Sequence, residues 1–346
     1  MSYGVGMDSD VMNPPRGTDI ILRRRGKGRK PTASVVGTNP LHLQPFPRWI
    51  TSPKASVTAV LQGALSPSTE AAFAAGAASF ALDQVLRADP PWLGCLSMRQ
   101  ALKAAAVAAK LLRLNADEAN LRDAEHLTRP GDDPGPAGRL HRLLRQLALR
   151  PVRLASETLS VIATEIEGAA ASAEVLALLL ADIALAARLG WERPLLLHLT
   201  AILDPALRHG EAGKRPRADS ADWARQQHAV LARAGIAAHG QAVDLARRAI
   251  ALTVAASTLR TRDGGRGVGL ILTDDSVAPW RMARAGAAAK SGPGQSGQET
   301  SGQETANQSK EGLGSDRAAR RLCESLHALG VLRLLTDRPT FRLYGM

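Results

Sequence analysis

Met98-Arg-Gln-Ala-Leu-Lys-Ala-Ala-Ala-Val-Ala-Ala-Lys-Leu-Leu-Arg-Leu114 is an alanine- and leucine-rich stretch that decides the fold class. Alanine and leucine have the strongest helix preference, and the larger apolar side chains, Leu102, Val107, Leu111 and Leu114, share one helical face. The whole chain has this bias, because 45% of its residues are hydrophobic but only 3% are aromatic. The core must therefore consist of Ala, Leu, Val and Ile, which predicts an all-α protein.

The pattern on both sides of this stretch predicts a multi-helix orthogonal bundle. Val268–Leu272 fits either a short strand or the start of a helix, and we favour the helix. The other predicted helices are Ser68–Arg87, Asp117–Leu127, one ending at Leu149, Leu154–Glu167, Ser172–Leu189, Pro194–Leu203, Ala221–Ala234 and Ala237–Arg260.

Composition divides the chain into four segments. Residues 1–66 are rich in Pro, Gly, Ser and Thr and contain a basic run, which predicts a disordered basic tail. Residues 67–284 form the predicted helical core. Residues 285–314 contain the tandem repeat Ser-Gly-Gln-Glu-Thr and predict a disordered Gly/Ser/Gln/Glu linker. Residues 315–346 regain a structured pattern.

This C-terminal segment predicts a helix followed by a β-hairpin, which resembles part of a winged helix. Ser315 is placed to cap a helix from Asp316 to Leu329, and two short apolar runs flank the turn Thr336–Pro339. The helix places an apolar face opposite a cluster of arginines. The predicted contacts to nucleic acid are Arg317, Arg320, Arg321, Arg338 and Arg342. The preceding linker argues against this hypothesis, because a helix-turn-helix needs its supporting helix a few residues upstream.

The positive charge of the chain lies mainly at its ends. The formal net charge is +12, of which residues 1–31 supply +4 and residues 316–346 supply +3. Two distant cysteines predict neither a disulfide framework nor a zinc site. With no signal peptide or membrane span in the pattern, we expect a cytoplasmic protein of bacterial type.

No catalytic motif, cofactor motif or metal-ligand spacing occurs in the sequence, so we expect no catalytic residue, cofactor or metal. The densest mixture of charge and turn residues in the core is a weaker candidate for a polar pocket. It consists of Arg122, Asp123, Asp132, Asp133 and Arg139. Helix capping and mutual ion pairing explain the same residues, with Asp132 or Asp133 at the start of a helix.

Several segments together resemble the uncharacterised bacterial domain-of-unknown-function family numbered fourteen hundred and three. The resemblance extends from about Phe46 to the C-terminus, outside the linker. It implies no mechanism, because no function is established for that family. The segments are FPRW (46–49), AAFAAGAASFALD (71–83), PPW (90–92), LRDAEHL (121–127), RPGDDPGPAGR (129–139), LGWERPLLL (189–197), DRAARRL (316–322) and RPTFRLYG (338–345).

Three functional hypotheses follow. The first is a non-enzymatic binding or regulatory protein that associates with double-stranded DNA through the C-terminal helix and hairpin. The second is a helical scaffold that binds another protein through its alanine-rich helices. The third is an enzyme with a pocket near Asp123 and Asp132. The sequence leaves the oligomeric state open.

Overall fold

The computed structural model describes residues 43–47, 50, 67–129, 131–208, 213–259, 264–288, 315–336, 338 and 341–346. Most of the two segments predicted to be disordered, 1–66 and 285–314, lies outside the described residues. Within the first segment, Leu43 packs against the core, and the centroid of the Phe46 ring lies 4.5 Å from that of the His239 ring.

Helices account for most of the described residues, and the strands form a single short hairpin. The predicted all-α class with a small C-terminal hairpin is confirmed. The elements are α1 (Pro67–Ala88), α2 (Leu93–Leu111), α3 (Glu118–Leu127), α4 (Gly135–Leu149), α5 (Ala155–Glu165), α6 (Ser172–Leu189), α7 (His198–Ala201), α8 (Trp223–Thr258), α9 (Gly264–Thr273), α10 (Pro279–Ala288), α11 (Asp316–Ala328), β1 (Arg333–Leu334) and β2 (Tyr344–Gly345).

One continuous helix, α8, replaces the two helices predicted between residues 221 and 260, and it is 36 residues long. Gly235 falls in the break between the two predicted helices, but it lies inside α8, where α1 approaches closely. A Cβ atom at Gly235 would lie only 2.8 Å from the Cβ of Ala78. The glycine therefore permits close helix packing, at a cost in helix preference of about 1 kcal/mol.

The helix α2 is present as predicted, but its buried face differs from the predicted one. Ala101, Ala104, Ala105 and Ala108 are buried, whereas Val107, Leu111 and Leu114 are only half-buried. Small side chains let α2 approach its neighbours α4, α7, α8 and α9 closely. Alanines therefore occupy the crowded side, and the longer side chains cover its margins.

The buried apolar residues form two clusters. The first lies among α1 to α7 and the first half of α8. The second lies among the second half of α8, α9, α10, α11 and the hairpin, together with Trp92, Cys95 and Leu96 near the start of α2. The helices α2 and α8 contribute to both clusters and so connect them.

Asp182 lies fully buried within the apolar helix α6. Its carboxylate accepts hydrogen bonds from the backbone N–H groups of Leu197 and His198, at 3.0 and 3.1 Å, and lies 2.7 Å from Nδ1 of His198. These bonds satisfy the backbone N–H groups at the start of α7, so Asp182 has a structural role there.

Among the described residues, no helix combines the length and apolar character needed to cross a membrane.

Charged side chains join the first cluster to the second. Arg145 of α4 donates hydrogen bonds to both carboxylate oxygens of Asp274, at 3.0 and 2.7 Å, and to Asp275 at 3.3 Å. Arg122 of α3 donates to the other oxygen of Asp275, at 3.1 Å. We call this set the ionic interface; it consists of Arg122, Glu125, Arg145, Asp274, Asp275 and Arg281, of which Arg281 donates to Glu125 Oε1 at 3.1 Å.

Burial governs the protonation of the two aspartates. Burial raises the pKa of Asp275 to about 6, with a further increase from the neighbouring Asp274 carboxylate and an opposing effect from Arg145 and Arg122. Burial acts in the same direction on Asp274, but Arg145 outweighs it and holds the pKa of Asp274 below its ordinary value. The two carboxylates therefore depend on Arg145 to remain ionised together.

Replacing Arg145 with Met is expected to lower the free energy of unfolding by about 3–5 kcal/mol, because it leaves two buried carboxylates without their main counter-charge. Chemical denaturation at pH 7 measures this change. The matched control is Arg150→Met, which removes an exposed ion pair with Glu157 and is expected to cost less than about 1 kcal/mol. Equal effects of the two substitutions would contradict the importance of the ionic interface.

Candidate nucleic-acid interface

A third strand position extends the C-terminal hairpin. In the hairpin, β1 and β2 pair antiparallel, with Leu334 opposite Tyr344. On the other side of Tyr344, Val277 forms an isolated antiparallel bridge. The N–H of Val277 donates to the Tyr344 carbonyl at 2.8 Å, and the N–H of Tyr344 donates back at 3.0 Å. The order across this small sheet is therefore Val277, Tyr344, Leu334.

The surrounding helices follow the connectivity of a winged helix. Along the chain come α9, the Val277 strand position, α10, α11, β1 and β2. A winged helix has this order of helix, strand, helix, helix and two strands, with the last strand in the middle of the sheet. The sequence predicted only its second half, from residue 315 onward. We call the described residues among these elements, 264–288, 315–336, 338 and 341–346, the winged-helix unit.

The supporting helix that the sequence analysis found missing is α10. It ends at Ala288, and α11 begins at Asp316, so the predicted linker separates them along the chain. The two helices nevertheless pack together, with Cys323 Sγ 3.6 Å from Met282 Sδ. Ala283 and Ala319 are buried in the same cluster. The two packed helices thus follow the chain order of a helix-turn-helix pair, although residues 289–315 separate them along the chain.

The helix α11 has one buried face and one charged face. Ala319, Leu322, Cys323 and Leu326 point into the second cluster. The Ser315 side chain accepts a hydrogen bond from the N–H of Ala318, at 3.2 Å, which confirms the predicted cap. The remaining N-terminal N–H groups of the helix favour a nearby anion such as a phosphate.

The five arginines predicted to contact nucleic acid are all exposed, on α11 and along the hairpin. Three of them pair with carboxylates: Arg320 with Asp316 at 2.7 Å, Arg342 with Glu324 at 3.2 Å and Arg338 with Asp123 at 2.8 Å. The other two, Arg317 and Arg321, have no carboxylate partner within the part of the chain that the structure describes.

A groove separates α11 from the hairpin. Its cavity has a volume of about 200 Å³ and is lined by Pro279, Trp280, Asp316, Arg320, Glu324, Phe341, Arg342 and Tyr344. This lining contains two arginines, two carboxylates and three aromatic side chains. The groove therefore places Arg320 and Arg342 beside each other, facing solvent between the helix and the hairpin.

The residues of the predicted polar pocket separate into different contacts. Arg122 belongs to the ionic interface, and Asp123 pairs with the hairpin residue Arg338. Asp133 and Arg139 pair with each other at 2.7 Å. Asp133 also accepts from the N–H of Gly135 at 2.9 Å, which places it at the start of α4 as predicted. Asp132 is exposed.

The sequence analysis missed a buried polar group beside the ionic interface. His126 Nε2 and Ser276 Oγ share a hydrogen bond of 2.9 Å, while His126 Nδ1 and both ring nitrogens of His141 have no hydrogen-bond partner among the described residues. Burial lowers the pKa of each histidine to about 4, so both rings are neutral at pH 7. The sequence feature that could have indicated this group was the adjacent acidic pair Asp274-Asp275 shortly after an apolar run.

No group of three or more His, Cys, Asp or Glu side chains among the described residues is arranged to hold a metal ion.

The fold and this surface define a helical protein with a C-terminal winged-helix arrangement. The chain belongs to the family described as "Protein of unknown function (DUF1403)", which matches residues 39–167 and 158–346. The resemblance found in the sequence is thereby confirmed. No curated protein and no solved structure shows significant similarity to the chain.

Proposed function

We propose that the protein binds double-stranded DNA through its winged-helix unit, with the N-terminal half of α11 in the major groove and the hairpin against the phosphate backbone. The observation that supports this most is the sheet order Val277, Tyr344, Leu334, together with the packing of α10 on α11. This arrangement presents one helix and one hairpin on the same side, which is how helix-turn-helix proteins approach a duplex.

The charge of the surface supports the same proposal. Residues 316–346 contain six basic and three acidic side chains, and the exposed arginines lie on α11 and the hairpin. The ion pairs of Arg320 and Arg342 are solvent-exposed, so each stabilises the protein by no more than about 1 kcal/mol. DNA phosphates can replace the carboxylates at little cost. Neutralising phosphates releases counterions, which makes such binding strongly dependent on salt.

The scaffold hypothesis has one supporting observation. Phe80 of α1 is 67% exposed and Val254 of α8 is 60% exposed, and large apolar side chains on a surface mark interaction sites when they are clustered. The structure supports the enzyme hypothesis less, because Asp123 forms an ion pair with Arg338 and Asp132 is exposed to solvent. We therefore propose a non-enzymatic regulatory role, and a cytoplasmic location stays a prediction.

Changing Arg317, Arg320 and Arg321 together to Ala is expected to weaken binding to a mixed-sequence duplex by at least about 10-fold at 100 mM salt, because up to three phosphate or base contacts are lost. Fluorescence anisotropy across a salt titration measures the affinity and its salt slope. The matched control replaces Arg188, Arg193 and Arg225 with Ala, three arginines outside the winged-helix unit. Equal binding by both variants would assign any affinity for DNA to another part of the chain.

Changing Asp123 to Asn is expected to strengthen DNA binding by up to about 5-fold, because Arg338 no longer exchanges a carboxylate for a phosphate on binding. The same anisotropy assay measures the change. Asp132→Asn is the matched control, since it removes one negative charge from the same region without freeing an arginine. A similar gain in both variants would show a general charge effect and no release of Arg338.

A further inference from the structure

We propose that Arg317 and Arg321 determine sequence preference by contacting two guanines in the major groove, about two base-pair steps apart on one strand. The other three arginines position the duplex through its phosphates. This inference rests on the proposed DNA binding and adds to it the base that is recognised and the residues that recognise it.

The ion pairs of the winged-helix unit separate the arginines into two groups. Asp316, Glu324 and Asp123 hold Arg320, Arg342 and Arg338 near the hairpin and the groove. No described carboxylate holds Arg317 or Arg321. A guanidinium that reads a base must direct the N–H donors along one edge of its plane toward the base edge. Of the three arginines on α11, only Arg317 and Arg321 can do so without breaking an existing ion pair.

The positions of these two residues on α11 fit the geometry of the DNA major groove. Arg317 and Arg321 are four residues apart, so both lie on one face and their Cα atoms are separated by about 6 Å along the helix axis. Successive base pairs are about 3.4 Å apart. A helix that lies along the DNA major groove therefore places the two side chains about two base-pair steps from each other.

The neighbouring residues are consistent with this face as the one that meets the bases. The next residue along it, Ser325, is exposed and carries a hydroxyl that can donate to or accept from any base edge. The opposite face is closed by Ala319, Leu322 and Leu326 in the core. Arg320 lies between these faces and, with Arg342, lines the groove between α11 and the hairpin.

The chemistry of arginine specifies the base. Guanine presents two acceptors, O6 and N7, on its major-groove edge, and a guanidinium can donate to both at once. Adenine presents one acceptor and one donor there, which an arginine cannot match. Each such contact is expected to favour guanine about 5- to 100-fold.

The test is selection of binding sequences from a pool of duplexes with a randomised central region, using the full chain and the single variants Arg317→Ala, Arg321→Ala and Arg342→Ala. The full chain is expected to enrich guanine at two positions separated by one base pair. Each of the first two variants is expected to lose the enrichment at one position. Arg342→Ala is expected to weaken binding and to leave the selected sequence unchanged.

Three outcomes overturn the inference. Salt-sensitive retention of the pool without any enriched base would show that the surface binds only phosphates, which leaves the proposed function intact. Unchanged enrichment in Arg317→Ala and Arg321→Ala, or altered enrichment in Arg342→Ala, would assign recognition to other residues. Failure to retain the pool at low salt would overturn the proposed function as well. Thermal unfolding of each variant verifies that these exposed substitutions leave the fold intact.

Discussion

The buried ion pairs of Arg145 with Asp274 and Asp275 are the contact on which the rest of the structure depends. Asp275 lies two residues before Val277, the strand position that completes the C-terminal sheet. By holding Asp275 between α3 and α4, Arg122 and Arg145 determine where this strand begins. Close packing reinforces the placement, because a Cβ at Gly345 would lie only 2.6 Å from the Asp275 carbonyl oxygen. The winged-helix unit is thus attached to the helical core by its first loop, and the charged face of α11 stays exposed to solvent.

This attachment divides the charged residues by purpose. Arg122 of α3 and Arg145 of α4 pair with carboxylates of the ionic interface, and the partial burial of these pairs makes them costly to break. The arginines of α11 and the hairpin are exposed, and their ion pairs are weak enough to exchange for phosphates. Asp123 and Arg338, which the sequence placed in two competing hypotheses, meet at 2.8 Å and connect the core to the hairpin. The same types of residue therefore stabilise one side of the unit and, in the proposed function, bind phosphates on the other.

The sequence predicts those features that local pattern controls. Helical periodicity predicted α1 and α6 nearly to the residue, and Ser315 predicted the start of α11. It failed where distant residues decide. The break predicted between residues 234 and 237 is absent, and the sequence pattern does not show that Gly235 packs against Ala78. Val277 cannot be identified as a strand from a single residue that pairs with Tyr344, 67 positions further along the chain. Without that pairing, the C-terminal helix and hairpin resembled only part of a winged helix.

The central claim is that Val277 completes the sheet and gives α9, α10, α11 and the hairpin the connectivity of a winged helix. The most direct measurement is native-state hydrogen exchange of the Val277 and Tyr344 amides, since each donates to the carbonyl of the other at 2.8 and 3.0 Å. We expect both amides to exchange slowly and at similar rates, together with the buried amides of α11, because the sheet and helix open as one unit. Rapid exchange of these two amides while α11 remains protected would contradict the bridge, and with it the winged-helix arrangement.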